Sequence, residues 1–401
     1  MEFLETHRHF VIIGGGVAGL TAAKAIRDLD AEAQISIYGE EAGLPYNRIK
    51  LSKALFSDLQ SDKVLIKKEK WFVQNKIDFY ASTKITSIQA IDHTITAEGG
   101  QTIKYDKLLL CTGALNRILE LDGASLPQVH QLRFREQAEQ LKQALAPHDR
   151  VCIIGGGIQG IETAWSLHQA GYHVTIIEQA PRLMARQLNE EAAEILTKQI
   201  ESLGTAVITG TAVNKIIGTN HVEGVALANG EVVPCKHVIY SIGIIPNIAL
   251  AQQSGISVDR GIIVNQHMQS SVDDIYVAGD VAQFEGKIDG LWNTAMEQGR
   301  VAGTNMADTT ATYQALIPMT VFTAYDMPLF SIGQVDKEAC TNNDCSTKLE
   351  QKQGEAPYKK LFVEDGIICG AIVFDSVIAA APYKEAIEQA RSYQPSVVGK
   401  Y

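Results

Sequence analysis

Two triplets of glycine share one spacing: Gly14, Gly16 and Gly19 in VIIGGGVAGL, and Gly155, Gly157 and Gly160 in CIIGGGIQGI. Both are G-x-G-x-x-G runs, and the chemistry that calls for them is the holding of a dinucleotide's pyrophosphate. The first glycine permits a tight turn after a strand, the second lets backbone approach the phosphates, and the third lets the following helix pack closely on the strand. That helix then offers unpaired N–H groups and the positive end of its dipole. Each run is followed by a carboxylate where ribose hydroxyls would lie, Glu40 in ISIYGE and Glu178 at the end of VTIIE. A different chemistry is open to Cys340 and Cys345 in KEACTNNDCSTK, which have the C-x4-C spacing of a redox pair. Their Asn-, Asp-, Ser- and Thr-rich surroundings predict an exposed turn carrying two separate thiols. The histidines form neither H-E-x-x-H nor a zinc-like grouping with cysteine, so no metal site is expected.

These glycines work only where a buried strand runs into a helix. FVIIGGGVAGLTAAKAI at residue 10 returns as VCIIGGGIQGIETAWSL, with Gly14 and Gly155 separated by 141 residues, so the repeat is a domain rather than a solenoid unit. Each copy predicts a β-branched strand, a turn and an apolar-faced helix, the opening of a β-α-β unit. From residue 316 the runs LFSIGQV, KLFVE and GIICGAIVF predict strands, and APYKEAIEQARSY predicts a helix. The expected fold class is α/β, with two dinucleotide-binding domains and a small α+β unit. The 401 residues, 46% hydrophobic and 20% charged, suit two or three domains. A net charge of −11 argues against a nucleic-acid binder with a broad basic face. No apolar run approaches the roughly 20 residues of a membrane-spanning helix. MEFLETHRHF carries no apolar signal region, and a cytoplasmic protein is expected. Cys111, Cys152 and Cys369 fall in apolar runs and are expected in the core. Two dinucleotide sites in one chain suggest a hydride relay between a tightly held cofactor and an exchangeable one, as in a flavoprotein oxidoreductase.

With LPYNRIKLSK at 44, YDKLLLCTGA at 105, YSIGIIPN at 240, DIYVAGDVAQF at 274 and WNTAMEQGRVAG at 292 added to the glycine runs, most of the chain resembles the FAD-dependent pyridine nucleotide oxidoreductases. The similar branch holds NADH:rubredoxin reductases, ferredoxin reductases and apoptosis-inducing-factor-like proteins. The resemblance implies two glutathione-reductase-like Rossmann domains, for FAD at 1–117 and 243–315 and for NAD at 118–242, and an α+β domain at 316–401. It implies FAD binding by Gly14, Gly16, Gly19, Glu40 (adenosine ribose), Arg48 (phosphate), Thr112, Gly113 and Asp280 (ribityl chain). Ala295 and Gln298 would line the flavin's pyrimidine end. Gly155, Gly157, Gly160, Glu178 and Gly243 would bind NADH. The structural alternatives are a surface charge for Arg48, a helix N-cap for Asp280, and ordinary helix packing for Ala295 and Gln298.

Where disulfide reductases of the wider superfamily carry cysteines, this chain has PYNRIKLSK. The resemblance places Lys53 there, beside the FAD and paired with Glu162, as the catalytic pair; a surface lysine and a helix-facing glutamate are the bland alternative. TVFTAYDMPLFSIG lacks the W-F-W-S-D pattern of many oxygenase-linked ferredoxin reductases, which makes rubredoxin reductases the closer fit. The expected partner is a small acidic carrier, rubredoxin or ferredoxin, met by a local basic patch for which Lys63, Lys67, Lys68 and Lys70 are the candidates. Neither nucleic acid nor membrane is an expected partner, and the protein is expected as a monomer or homodimer. The competing readings are a disulfide or peroxide reductase using Cys340 and Cys345, and a flavin-bound NADH sensor that docks a partner.

Overall fold

The computed structural model describes residues 7–335, 346–349, 358–375 and 377–392. Cys340 and Cys345 lie outside these residues, and so do both the exposed turn expected there and the competing redox pair. The chain divides into two compact units. One holds residues up to Asn47, Gln60–Leu115 and Ile244–Leu316; the other holds Arg48–Leu59, Asn116–Gly243 and the chain from Ile317 onward. The short PYNRIKLSK segment is thus split, with Arg48 and Lys53 grouped with the second unit and not with the first glycine run.

In the first unit a five-stranded parallel sheet runs in the order Ile275–Val277, Lys107–Leu110, His9–Ile13, Gln34–Tyr38, Ile77–Tyr80. Four of its strands are almost wholly buried, which is why they read as continuous apolar runs, whereas the edge strand Ile77–Tyr80 exposes Asp78 and Tyr80 in alternation. The helix Val17–Leu29 buries Ala18, Ala22 and Ile26 at a spacing of four, together with Gly19 and Ala23. Small residues on that face admit the helix Trp292–Met306 at close range. A Cβ at Gly299 or Gly303 would stand 2.3 or 2.4 Å from the carbonyl oxygens of Ala18 and Ala22. At the far end of the first helix, the Arg27 guanidinium donates to the carbonyls of Asp30, Ala31, Ala33, Asn75 and Lys76, tying the helix end to the turns that feed two strands.

The second unit repeats the arrangement, in the order Ala206–Thr209, His173–Glu178, Arg150–Ile154, His237–Tyr240, Val129–His130, all parallel. In both sheets the strand before the glycines is flanked on either side by strands from later in the chain. The crevice at its carboxyl end is therefore a topological switch point, where open α/β sheets bind ligands. Beneath the second sheet, Asp149 accepts from Lys236 Nζ at 2.8 Å and lies 3.3 Å from His237 Nε2, while His237 Nδ1 is 3.2 Å from His130 Nε2. Burial pushes His130 down to about 4, aided by His237, and also lowers His237 despite Asp149.

From Met319 a five-stranded antiparallel sheet follows, in the order Met319–Phe322, Leu329–Gly333, Ile367–Val373, Lys359–Glu364, Ser346–Leu349. The closing helix corrects the expectation from APYKEAIEQARSY: it spans Val377–Glu388 and carries Pro382 inside it. Ala380, Tyr383, Ala386 and Ile387 are buried in the core that the sheet strands share, and this apolar stripe outweighs the missing proline N–H. Cys111 and Cys152 are buried as expected, whereas Cys369 is only half-buried. No helix among the described residues is long and apolar enough to cross a membrane.

Candidate functional site

The two glycine turns have the same construction. Gly14 and Gly155 follow their strands with φ of +111° and +115°, the left-handed region that a side chain disfavours. A Cβ there would stand 2.1 Å from the carbonyl oxygen of Cys111, or 2.3 Å from that of Ser241. The third glycines are confined as tightly, since a Cβ at Gly19 or Gly160 would lie 2.2 or 2.0 Å from the carbonyl oxygen of Gly14 or Gly155. The middle glycines differ. Gly16 (φ −67°) and Gly157 (φ −81°) have backbone angles any residue adopts, and a Cβ at either would meet no atom within 4 Å.

Neither folding nor packing therefore calls for glycine at positions 16 and 157. What a side chain would fill is open space at the start of a helix. Gly16 caps Val17–Leu29 and Gly157 caps Ile158–Gln169; neither cap has a side-chain hydrogen bond, and neither first turn has an acidic residue. Both helix starts thus leave N–H groups and dipole free for an anion, and the two turns fit dinucleotide pyrophosphates.

The ribose-side carboxylates differ between the units. Glu178 is fixed on the turn, accepting from the Gly156 N–H at 2.5 Å and the Ala180 N–H at 2.7 Å. Arg182 donates to the carbonyls of Leu188 at 3.1 Å and Ala185 at 3.4 Å. Glu40 is exposed and pairs with Lys84 at 3.0 Å.

Elsewhere in the first unit, the Thr112 hydroxyl donates to the Asn247 carbonyl at 2.8 Å, and the Gly113 carbonyl accepts from the Asn247 N–H at 2.9 Å. Asp280 follows Gly279, whose φ of +86° turns the chain out of the strand Ile275–Val277. Gln298 is buried and accepts from the Gly279 N–H at 2.9 Å, while Ala295 packs 3.8 Å from where a Gly279 Cβ would be. Both thus support the Gly279–Asp280 turn from the long helix. In the basic segment, Lys67 lies over the Trp71 ring and Lys68 pairs loosely with Asp62 at 3.7 Å.

In the second unit, Arg48 donates to the Arg133 carbonyl at 2.8 Å and lies over the Phe134 ring. The Gly243 carbonyl accepts from the Arg117 N–H at 2.9 Å. The short helix Lys50–Lys53 buries Leu51 and Ser52 and turns Lys53 outward. Lys53 Nζ is 3.2 Å from Oε1 of Glu162, whose side chain is only 4% exposed on the helix Ile158–Gln169. Burial pushes the Glu162 carboxyl up, and Lys53 and Ser52 only partly offset this. Among the described residues, no group of three or more His, Cys, Asp and Glu could hold a metal ion.

Compared with known families, residues 8–299 match the pyridine nucleotide-disulphide oxidoreductases. The chain belongs to this family. Residues 318–391 match the rubredoxin NAD+ reductase C-terminal domain, so the antiparallel sheet and closing helix are that module. The chain is 30% identical to the NADH-rubredoxin oxidoreductase of Clostridium acetobutylicum, over 96% of its own length and 95% of that protein's. It is also 30% identical to a nitrite reductase [NAD(P)H] of Bacillus subtilis, over 92% of its length, but spans only 45% of that relative. Among solved structures, a ferredoxin reductase from Rhodopseudomonas palustris superposes with a TM-score of 0.89 at 27% identity, covering 98% of this chain and 97% of that one. As a pyridine nucleotide-disulphide oxidoreductase, the chain uses FAD and a pyridine nucleotide.

Two residues beside the Lys53–Glu162 pair have no signal in the sequence. Ser52 Oγ is 3.2 Å from Glu162 Oε2, and Ser166 Oγ donates to the Ser52 carbonyl at 2.6 Å. Both serines are polar residues in otherwise apolar patterns, and only the fold brings them to the carboxylate.

Proposed function

We propose that the chain passes electrons from NADH, by way of FAD, to a small one-electron iron protein of the rubredoxin type. The observation that carries this reading is the pair of middle glycines: the same chain has built the same empty cradle twice, at Gly16 and at Gly157. Two cradles mean two dinucleotides, and the carrier named by the full-length Clostridium relative supplies the acceptor class. FAD, when bound, supplies the step from two-electron to one-electron chemistry.

The chain's own groups do the rest. Gly14, Gly16 and Gly19 shape the turn for the FAD pyrophosphate, Glu40 accepts from its adenosine ribose, and Arg48 meets its phosphates. Thr112, Gly113 and Asp280 bind it further along, with Ala295 and Gln298 holding the Asp280 turn in place. Gly155, Gly157 and Gly160 shape the turn for NADH, with Glu178 accepting ribose hydroxyls and Gly243, whose φ is +102°, leaving open space beside the backbone for it. Lys53 is the catalytic cation, and Glu162, buried and ion-paired, fixes its position and favours electron-rich FAD through it. The short segment bearing Lys53 contains no cysteine, which leaves no thiol there to divert electrons to a disulfide. An acidic carrier docks on the segment Asp62–Lys70, where Lys63, Lys67, Lys68 and Lys70 outnumber Asp62 and Glu69 in a protein of net charge −11.

The test is a ranking of acceptors under NADH: rubredoxin, ferredoxin, oxygen, a quinone and a disulfide. Rubredoxin is expected to give the highest kcat/KM, by about tenfold or more, a difference of about 1.4 kcal/mol. A disulfide or oxygen in first place would overturn the reading.

A further inference from the structure

We propose that Ser52 is a positioning residue for the Lys53–Glu162 pair, its hydroxyl holding Glu162 ionised and thereby holding the Lys53 ammonium in place. The inference rests on the reading of Lys53 above only for its consequence on the flavin, not for the local geometry.

Glu162 and Ser166 lie one turn apart on the helix Ile158–Gln169, and both bond the same residue. Ser166 Oγ grips the Ser52 carbonyl at 2.6 Å, and Ser52 Oγ reaches Glu162 Oε2 at 3.2 Å. All three are buried, with exposures of 7%, 4% and 4% for Ser166, Ser52 and Glu162, so water does not substitute for either bond. Lys53 engages the other carboxylate oxygen. One oxygen of the buried carboxylate thus takes the Ser52 hydroxyl as its hydrogen-bond donor, and the other faces the Lys53 ammonium as an ion pair without a hydrogen bond, both groups coming from adjacent residues of one short helix. Lys53 is the charged group facing Glu162 from that helix, and Ser166 is its polar neighbour on its own.

The Ser52 hydroxyl has one proton and two acceptors in reach, Glu162 Oε2 and the Ile49 carbonyl, each at 3.2 Å. An ionised carboxylate is the stronger acceptor and takes the proton. When Glu162 is protonated, the hydroxyl turns to Ile49 and accepts from the carboxylic acid instead. The hydroxyl thus has two arrangements, selected by the charge on Glu162, and the one that donates to Glu162 stabilises the anion that restrains Lys53.

The experiment is a pH titration of the FAD-loaded enzyme by infrared spectroscopy, following the protonated-carboxyl band that Glu162→Gln removes. In Ser52→Ala the band should reach its midpoint about one pH unit higher than in the native protein, the roughly tenfold change expected on losing one charge-assisted hydrogen bond. Ser52→Thr, which keeps the hydroxyl, should restore the native midpoint. Ser166→Ala should lower Tm and leave the midpoint in place. An unmoved midpoint in Ser52→Ala, or an equal shift in Ser166→Ala, overturns the inference. The flavin potential of the same samples separates the two ideas: a moved band with an unchanged potential keeps Ser52's role and refutes the action of Lys53 on the flavin.

Discussion

Alanine at Gly157 and alanine at Gly160 should fail in opposite ways, although the two glycines are three residues apart. At Gly157 the backbone angles suit alanine and the new methyl meets nothing within 4 Å. Alanine is a poorer N-cap than glycine by about 0.5 kcal/mol, and it restricts the unfolded chain by about 0.4–1 kcal/mol in the opposite direction. These nearly cancel, so Tm should stay within about 4 °C of native. The methyl instead occupies the cradle above the helix start and keeps the phosphates from the backbone N–H groups. Losing one hydrogen bond to a charged group costs about 1.5–3 kcal/mol, which raises the Kd for NADH about tenfold or more. At Gly160 the methyl would lie 2.0 Å from the Gly155 carbonyl oxygen, so the backbone must shift. Overpacking of that kind costs about 1–3 kcal/mol and lowers Tm by several degrees. Scanning calorimetry and NADH titration of the FAD-loaded proteins read both effects. If Gly157→Ala keeps native NADH affinity, or loses as much stability as Gly160→Ala, the cradle does not hold a dinucleotide.

NADH should be preferred over NADPH by about tenfold in kcat/KM, because Glu178 is anchored on the turn and Arg182 is held by the carbonyls of Ala185 and Leu188; equal efficiencies would refute this. The half-buried His130 and the buried His237 should weaken the fold in acid. Their pKa values are lowered on folding, so the unfolded chain binds more protons below about 6.5, and stability is lost as pH falls from there toward about 4, the value to which His130 is pushed. His130→Asn should flatten that part of the Tm–pH profile, and an unchanged slope would contradict the assignment. Reversing the charges of Lys67 and Lys68 should lower carrier kcat/KM and its salt dependence while leaving flavin reduction by NADH unaltered. A native salt slope in that variant would put the docking surface elsewhere.

The two glycine turns were legible in the sequence because every constraint on them is local: a strand, a positive φ, and a helix that must lie close. The parallel sheets followed from the same runs. What stayed hidden depends on contacts between distant residues. Ser52 and Ser166 meet across 114 positions, and Ser52 and Glu162 across 110, so no spacing rule finds them. The grouping of Arg48–Leu59 with the second unit is hidden for the same reason. The sequence does not mark the strand Met319–Phe322, and APYKEAIEQARSY covers only the later part of the closing helix, in which burial of Ala380, Tyr383 and Ile387 imposes an interior position on Pro382. The roles of Gln298 and Ala295 illustrate a third kind of gap: their motif was visible, but its bond to Gly279 required the fold.

Electron flow from NADH through bound FAD to a one-electron carrier, all on one chain, fixes the products of each turnover. Its most direct measurement is anaerobic stoichiometry: catalytic amounts of the flavin-loaded protein, a limiting amount of NADH, and excess oxidised rubredoxin followed by its visible absorbance. Two rubredoxins should be reduced per NADH consumed, and none with protein stripped of FAD. Reduction of the flavin by NADH with no bleaching of rubredoxin would contradict it.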